Sequence, residues 1–188
     1  MTMTTPVRPA PPAPRRETLR GRLARRRAMA RRDRLTARLL ELREIAELVQ
    51  RAGTVIEGGW VQYGWYRYRS AEDAPSGGHD SGDHDTVTGA CLVGAVVHAG
   101  GGRRAFTSQL VQRALDLTWS TLYGLDGDSL AWCPPPAVRF SHLRDLTRWN
   151  DAPARTKGEV LDLLAATRTE AGRLSELIRA ERLETVPS

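Results

Sequence analysis

The sequence is poor in the residues that hold secreted scaffolds and membrane proteins together. Its 188 residues include only two cysteines, Cys91 and Cys133, too few for a disulfide framework or a zinc site of four thiolates. The longest apolar run, residues 89–97, ends at His98, whereas a membrane-spanning helix needs about 20 apolar residues. The composition therefore excludes a disulfide-rich scaffold and an integral membrane protein.

Lysine is almost absent, and the positive charge is concentrated at one end of the chain. Of the 28 basic residues only Lys157 is a lysine. Residues 1–34 hold eleven arginines against two acidic side chains, a net charge of +9, and the remaining residues carry a net charge of −3. The sequence pI of about 10.1 therefore reflects an N-terminal arm, while the body is mildly acidic.

The first 34 residues have the composition of an arm without a core of its own. Residues 6–14 are rich in proline and favour an extended, disordered chain. Residues 18–34 contain strong helix formers but only three sizeable apolar side chains, so we expect them to become ordered only against a partner. No apolar segment follows the early positive charges, as a signal peptide requires, and we expect a cytoplasmic protein.

Apolar periodicity predicts helices through most of residues 35–184, which we take as a single domain. One amphipathic helix starts at Leu35 and stops at Gly53, a buried helix covers residues 89–99, and a third helix covers residues 106–123. A short helix capped by Ser141 and a long final helix starting near Thr156 complete the pattern. The fold class is therefore mainly α, with at most one short β element.

That β element is predicted in the segment richest in aromatic residues. Residues 58–70 contain five of the eleven aromatic side chains, and Val61, Tyr63 and Trp65 alternate as in an extended strand or one arm of a hairpin. The same segment interleaves its aromatic rings with Arg67 and Arg69, a composition suited to stacking on nucleic-acid bases. Packing in and around the core is the competing interpretation, and we favour it.

Three stretches in this order resemble an uncharacterised domain family of actinobacteria and their phages. They are Gly59-Trp60-Val61-Gln62, residues 90–95 with the sequence ACLVGA, and residues 149–153 with the sequence WNDAP, followed by Arg155-Thr156-Lys157 and residues 159–161. The resemblance covers about residues 35–168. It implies a small helical domain and no assigned activity. Residues 1–34 lie outside it.

Most of the third stretch is explained by local structure. Residues 156–159 (TKGE) fit a capping box, in which the threonine hydroxyl and the glutamate carboxylate satisfy backbone amides at the start of the final helix. Asn150 and Asp151 before Ala152-Pro153 predict a turn. Trp149 is expected to pack on the core.

One catalytic hypothesis combines Cys91, His142 and Asn150. Cys91 lies early in the predicted apolar helix, where the helix dipole would lower the pKa of its thiol. His142 would then serve as base and Asn150 as the residue that orients it, the chain order seen in papain-like enzymes. A small cysteine among alanine, valine and glycine is more often plain packing, so we assign no catalytic residues and expect no enzyme activity.

A metal-site hypothesis rests on residues 79–85, where two histidines and three aspartates lie close together: His79, Asp80, Asp83, His84 and Asp85. Glycines surround these residues and no apolar anchor holds them. A solvated acidic loop is therefore the preferred interpretation, and we predict neither a metal nor a cofactor.

The arm gives the clearest indication of function. Its arginines can neutralise phosphates with little readout of sequence, and it can fold to a helix on binding. We therefore expect a non-enzymatic module that binds nucleic acid or another polyanion, such as an acidic protein surface, through Arg20, Arg22, Arg25, Arg26, Arg27, Arg31, Arg32 and Arg34. The alternative is a phage-related or virion-associated protein that assembles into homo-oligomers through its arm and final helix.

Overall fold

The computed structural model describes residues 19–69, 87–125 and 134–184. In chain order these residues form helix α1 (Leu19–Gly58), strands β1 (Tyr66–Tyr68) and β2 (Val87–Ala90), helix α2 (Leu92–Ala99), a 3-10 helix (Arg103–Thr107), and helices α3 (Gln109–Leu122), α4 (Pro136–Asn150) and α5 (Lys157–Glu184). The expectation of a mainly helical domain with one short β element is confirmed. No helix in the described ranges is long and apolar enough to cross a membrane.

The two long helices, α1 and α5, run antiparallel and form the frame of the domain. Lys157 Nζ donates a hydrogen bond to the Glu57 carbonyl oxygen (2.8 Å), and at the other end Arg31 pairs with Glu181 (2.7 Å). Between these two contacts both helices bury apolar stripes: Leu42, Ile45, Val49, Ala52 and Ile56 on α1, and Val160, Leu164, Ala171, Leu174 and Ile178 on α5. These residues are buried together because their spacing in the sequence places them on one face of each helix.

Helix α1 is longer than predicted at both ends. It continues through Gly53, since Ala52 and Ile56 on either side are fully buried and their packing outweighs the roughly 1 kcal/mol by which a mid-helix glycine is disfavoured. It also begins at Leu19, so residues 19–34, predicted to be disordered without a partner, are helical. Arginine, alanine and leucine propagate a helix well once packing has nucleated it downstream.

Residues 92–97 of helix α2 are all buried, as the composition predicts, while His98 in its last turn is exposed. It starts at Leu92 and not at residue 89, because residues 87–90 pair as a strand and Cys91 is the N-cap. Gly94 lies so close to the Trp65 carbonyl that a β-carbon there would collide with it. Gly100 ends the helix, with its amide bonded to the carbonyls of Val96 and Val97.

Strands β1 and β2 pair antiparallel in a two-stranded sheet. Strand β1 is shorter than the predicted one and lies further along the chain, so the expected alternation of Val61, Tyr63 and Trp65 does not form a strand. Tyr63 has a positive φ of 60°, which breaks an extended conformation. Before this bend, Trp60 forms an isolated bridge to Ala90.

Helices α3 and α4 close the other side of the core. Helix α3 starts at Gln109, later than predicted, because the Ser108 hydroxyl caps it by accepting from the Val111 amide (3.3 Å). The predicted cap at Ser141 is wrong, since α4 already begins at Pro136 and Ser141 lies inside it. Proline favours the first turn of a helix because its φ is fixed and its missing amide hydrogen is not needed there.

The predicted capping box at the start of α5 is confirmed. The Glu159 carboxylate accepts from the Thr156 amide (2.8 Å), and the Thr156 hydroxyl accepts from the Glu159 amide (3.3 Å). These bonds to Thr156 hold the pKa of Glu159 below its usual value. The helix therefore begins where the sequence places it.

Candidate functional site

The first part of α1 is an exposed cationic helix. We call residues 19–34 the basic helix. All eight of the arginines predicted to bind a polyanion lie on it and are exposed to solvent, and Asp33 is its single acidic residue. Like charges repel along a helix surface. An anion that binds to this segment would reduce the repulsion and so stabilise the helix.

The arginines continue the apolar face of α1 instead of lying opposite to it. Towards the C-terminus this face carries the buried residues Leu42, Ile45 and Val49. Towards the N-terminus the same helical spacing is occupied by Arg20, Arg27, Arg31, Arg34 and Arg38. A row of arginines cannot enter an apolar core without large desolvation costs. The face that builds the core at one end of α1 therefore becomes a polar, cationic face at the other end.

The basic helix also extends past its neighbour. Because α1 and α5 are antiparallel and Arg31 lies opposite Glu181, α5 reaches its last described residue beside about residue 28 of α1. The preceding residues, which include Arg20, Arg22 and Arg25–Arg27, project beyond it by roughly 14 Å at 1.5 Å per residue. Within the described ranges, α5 therefore does not run alongside this part of α1.

A second cluster joins the three stretches that carry the family resemblance. Its centre is Asn150, the last residue of α4 and the only asparagine in the sequence, with no exposed surface. Its Oδ1 accepts from Trp60 Nε1 and from the Leu92 amide, both at 3.0 Å. Its Nδ2 donates to the Val61 carbonyl at 3.2 Å and to Asp151 Oδ1 at 2.8 Å. We call this cluster the Asn150 junction.

The neighbours of Asn150 fix the chain between α1 and β1. Gln62 Nε2 donates to the carbonyls of Asn150 and Ala152 (3.0 and 2.9 Å), and Asp151 Oδ1 accepts from the Tyr63 amide (2.9 Å). These bonds hold Tyr63 in its left-handed conformation with its ring largely exposed. The predicted turn forms directly after Asn150. The side chains of Asn150 and Asp151, which were predicted to bond nearby amides, instead tie together segments far apart in the chain.

Cys91 is a packed residue at the edge of this junction. It is 2% exposed, and its Sγ caps α2 by accepting from the Gly94 amide at 3.3 Å. Burial raises the pKa of the Cys91 thiol, and the backbone bonds that oppose this rise do not cancel it. The prediction that the helix dipole lowers this pKa is wrong, because desolvation of the thiolate is the larger effect.

We expect the Cys91 thiol to be unreactive in the folded protein. A Cys133→Ser variant, in which Cys91 is the single cysteine, should react with a thiol reagent only after unfolding by urea, from neutral to mildly alkaline pH. The reason is that only the thiolate reacts and the buried site disfavours it. Stoichiometric labelling of the native variant at neutral pH would contradict this burial.

His142 belongs to a different cluster, between α3 and α4. Its Nδ1 lies 2.8 Å from Asp116 Oδ1, and its ring stacks on Trp119 at 3.8 Å between centroids. Arg139 Nε donates to the other oxygen of Asp116 at 3.2 Å. An open cavity of about 310 Å³ lies beside this cluster, with Phe106 and Phe140 in its wall. We call these residues the Asp116 cluster.

The three catalytic candidates are therefore not joined in one hydrogen-bonded chain. Asn150 is linked to the start of α2 next to Cys91 through the Leu92 amide. No hydrogen bond among the described residues connects His142 with Cys91 or with Asn150, and the carboxylate that orients His142 is Asp116. Asp116 was not singled out from the sequence. Its position between Leu115 and Leu117 on an amphipathic helix could have indicated a buried charged residue.

Most of the aromatic residues after α1 pack against the core, which is the interpretation we favoured over stacking on nucleic-acid bases. Trp60 and Trp65 are partly buried against the core, and Trp65 contacts Phe106 with ring centroids 5.3 Å apart. The Tyr66 hydroxyl is buried without a hydrogen-bond partner among the described residues, and burial raises the pKa of Tyr66 to about 12. Only Tyr63, at 73% exposure, and Tyr68, at 37%, present their rings outward in this segment.

The predicted acidic loop at residues 79–85 lies outside the described residues, as does Cys133. Among the residues that the structure describes, no three histidine, cysteine or acidic side chains come close enough to hold a metal ion.

Fold and sites together define a small, mainly helical domain with a buried polar junction and a projecting cationic helix. The chain belongs to a family described as a family of unknown function (DUF6197), which matches residues 41–170. The comparison with curated proteins and that with solved structures found no match. The Asn150 junction lies inside the matched range and the basic helix outside it. An actinobacterial or phage origin stays a prediction.

Proposed function

We propose that the protein binds nucleic acid without sequence specificity and that the basic helix is the part that binds. The observation that carries the proposal is the row of exposed arginines on a helix that projects beyond the body of the domain. Arginine side chains neutralise phosphates and release counterions, which gives affinity with little dependence on sequence. The body of the domain, which is mildly acidic, positions this helix and does not enlarge the cationic surface.

The distribution of the arginines around the helix favours duplex DNA over a flat anionic surface. At 100° per residue, Arg20, Arg27, Arg31 and Arg34 share one face, and the other four arginines are spread over the flanks: Arg22, Arg25, Arg26 and Arg32. A flat surface can contact only one of these faces. The major groove of DNA, about 12 Å wide, admits an α-helix and offers phosphates on both of its walls.

The test is the salt dependence of binding to labelled duplex DNA, measured by fluorescence anisotropy on the full chain. We expect the triple variant Arg25→Ala, Arg26→Ala, Arg27→Ala to bind about tenfold to hundredfold more weakly at moderate salt. The slope of log K against log salt should become shallower by about 2.7, because each lost phosphate contact removes about 0.9.

The matched control removes the same charge from the body of the domain. Arg43, Arg148 and Arg168 are exposed and lie outside the basic helix, and replacing all three with alanine should leave the slope unchanged. Equal slopes for both triple variants would contradict the assignment to the basic helix. Duplex RNA is a further comparison, since its deep and narrow major groove does not admit a helix.

Assembly of copies is the second candidate, and a separate observation favours it. Four leucines at the same end of the α1–α5 pair are exposed: Leu19 and Leu23 on α1, and Leu177 and Leu183 on α5. Light scattering in the absence of nucleic acid tests it. A monomer disfavours assembly, and an oligomer that is lost on Leu23→Glu would support it.

A further inference from the structure

A cationic pocket lies at the opposite end of α1 from the basic helix. It has a volume of about 550 Å³ and opens between the C-terminal part of α1, the ends of strands β1 and β2, and helix α2. This size falls within the range of about 300–1,000 Å³ that is usual for small-molecule sites. Arg51 is separated from Arg27 by 24 residues of one helix, roughly 36 Å, so the pocket and the basic helix are separate surfaces.

Most polar residues of this pocket are suited to an anion. Its lining includes Arg51, Arg69, His98 and Thr54. Thr88 also lines it, but its hydroxyl donates to the Arg67 carbonyl at 3.2 Å. No acidic residue among those described lines it. Hydroxyls and guanidinium groups donate hydrogen bonds to phosphate oxygens, and the planar guanidinium can do so with two parallel bonds.

The two arginines of the pocket differ from several arginines of the domain body that form ion pairs. Arg43 pairs with Glu47, Arg155 with Glu159 and Arg173 with Glu170. Neither Arg51 nor Arg69 forms an ion pair with any residue in the described ranges. Within the part of the chain that the structure describes, these two positive charges face one concave surface without an acidic partner, and a bound anion would be attracted by both.

The surroundings of the pocket add to its positive potential. Arg67 lies behind it, with Nη2 donating to the Thr88 carbonyl at 3.4 Å. The C-terminal end of α1 would by itself repel an anion, because its free carbonyls carry partial negative charge. Lys157 offsets this repulsion by donating to the Glu57 carbonyl at 2.8 Å.

We propose that this pocket binds a phosphate group, either as free phosphate or as the phosphate monoester of a small molecule. Arg51 and Arg69 hold the phosphate oxygens, and the hydroxyl of Thr54 adds a neutral donor. Val55 and Val87, which also line the pocket, provide apolar surface for the rest of a monoester.

Calorimetric titration of the full chain in a buffer free of phosphate tests the proposal, with inorganic phosphate, AMP and uncharged adenosine as probes. We expect saturable binding of AMP, competition by inorganic phosphate, and no binding of adenosine. Arg51→Ala and Arg69→Ala should each weaken AMP binding about tenfold, the effect of losing one charge-assisted contact near the surface. AMP binding tighter than phosphate would identify a monoester site, and equal affinities would identify a site for free phosphate.

Two controls separate this site from general attraction to a basic protein. Arg168→Ala removes an exposed arginine elsewhere on the body, and the triple variant of the basic helix removes three from the projecting end; neither should change AMP affinity. The proposal is overturned if no probe binds, if adenosine binds as well as AMP, or if Arg168→Ala weakens binding as much as Arg51→Ala does. Thermal unfolding of the Arg51 and Arg69 variants should match the parent, since both side chains are exposed.

Discussion

Replacing Asn150 with alanine is expected to lower the free energy of unfolding by about 3–5 kcal/mol, because the side chain satisfies several buried polar groups at once. The Leu92 amide, the Trp60 indole and the Val61 carbonyl all lose their partner. Each buried group left unpaired costs about 1–3 kcal/mol. Urea unfolding followed by tryptophan fluorescence measures the change.

Two further variants test whether the loss of stability comes from the hydrogen bonds of the Asn150 amide. Gln50→Ala removes an exposed amide side chain from α1 and should change the unfolding free energy by less than about 0.5 kcal/mol. Asn150→Asp keeps an oxygen for the Leu92 amide but places a carboxylate against Asp151 and the Val61 carbonyl. We therefore expect it to be destabilised as strongly as the alanine variant. A loss below about 1 kcal/mol for Asn150→Ala would mean that water replaces these bonds.

Most of the fold follows from apolar periodicity, and the errors have a common cause. Helices whose burial is set by their own spacing, such as α5 with its capping box at Thr156, are predictable from the sequence. Boundaries set by distant residues are not. The bend at Tyr63 depends on Asp151, 88 positions further along the chain, and α2 starts at Leu92 because residues 87–90 pair with β1, a strand from another segment.

The candidate sites also differ in whether they depend on local sequence or on residues far apart in the chain. The eight arginines of the basic helix were proposed as a binding site from composition alone, because charge density is a local property of the sequence, and the structure places all eight exposed on one helix. The direction of the pKa shift of the Cys91 thiol was not predicted correctly, since this pKa depends on how completely other segments cover the residue. The role of Asn150 was predicted as a local turn for the same reason: a single side chain that bonds distant segments cannot be distinguished from a turn residue without the fold.

The two parts of the molecule also differ in their relation to the family. The junction that joins the segment after α1 to α2 and α4 lies within residues 41–170, the range that the family matches, and its hydrogen bonds connect residues of all three stretches. The basic helix lies before this range. The proposed nucleic-acid binding therefore rests on residues outside the range that the family model matches.

The second large loss of stability is expected from a substitution in the Asp116 cluster. Asp116→Ala is expected to lower the free energy of unfolding by about 3 kcal/mol, because the buried His142 ring and the half-buried Arg139 guanidinium both lose the carboxylate they share. Asp145→Ala is the matched control. This half-buried aspartate accepts a longer bond (3.3 Å) from Trp119 in the same region, and its loss should cost less than about 1 kcal/mol.

Comparison of these two aspartates also decides what kind of cluster this is. A large difference means that Asp116, Arg139 and His142 form a packed ion cluster whose main effect is to hold α4 on α3. Equal and small losses would mean that water enters through the 310 Å³ cavity beside Phe106 and Phe140 and solvates the charges. The carboxylate and imidazole would then be an accessible pair in a concave site, the arrangement from which acid–base chemistry is built, and a purely structural role for His142 would be wrong.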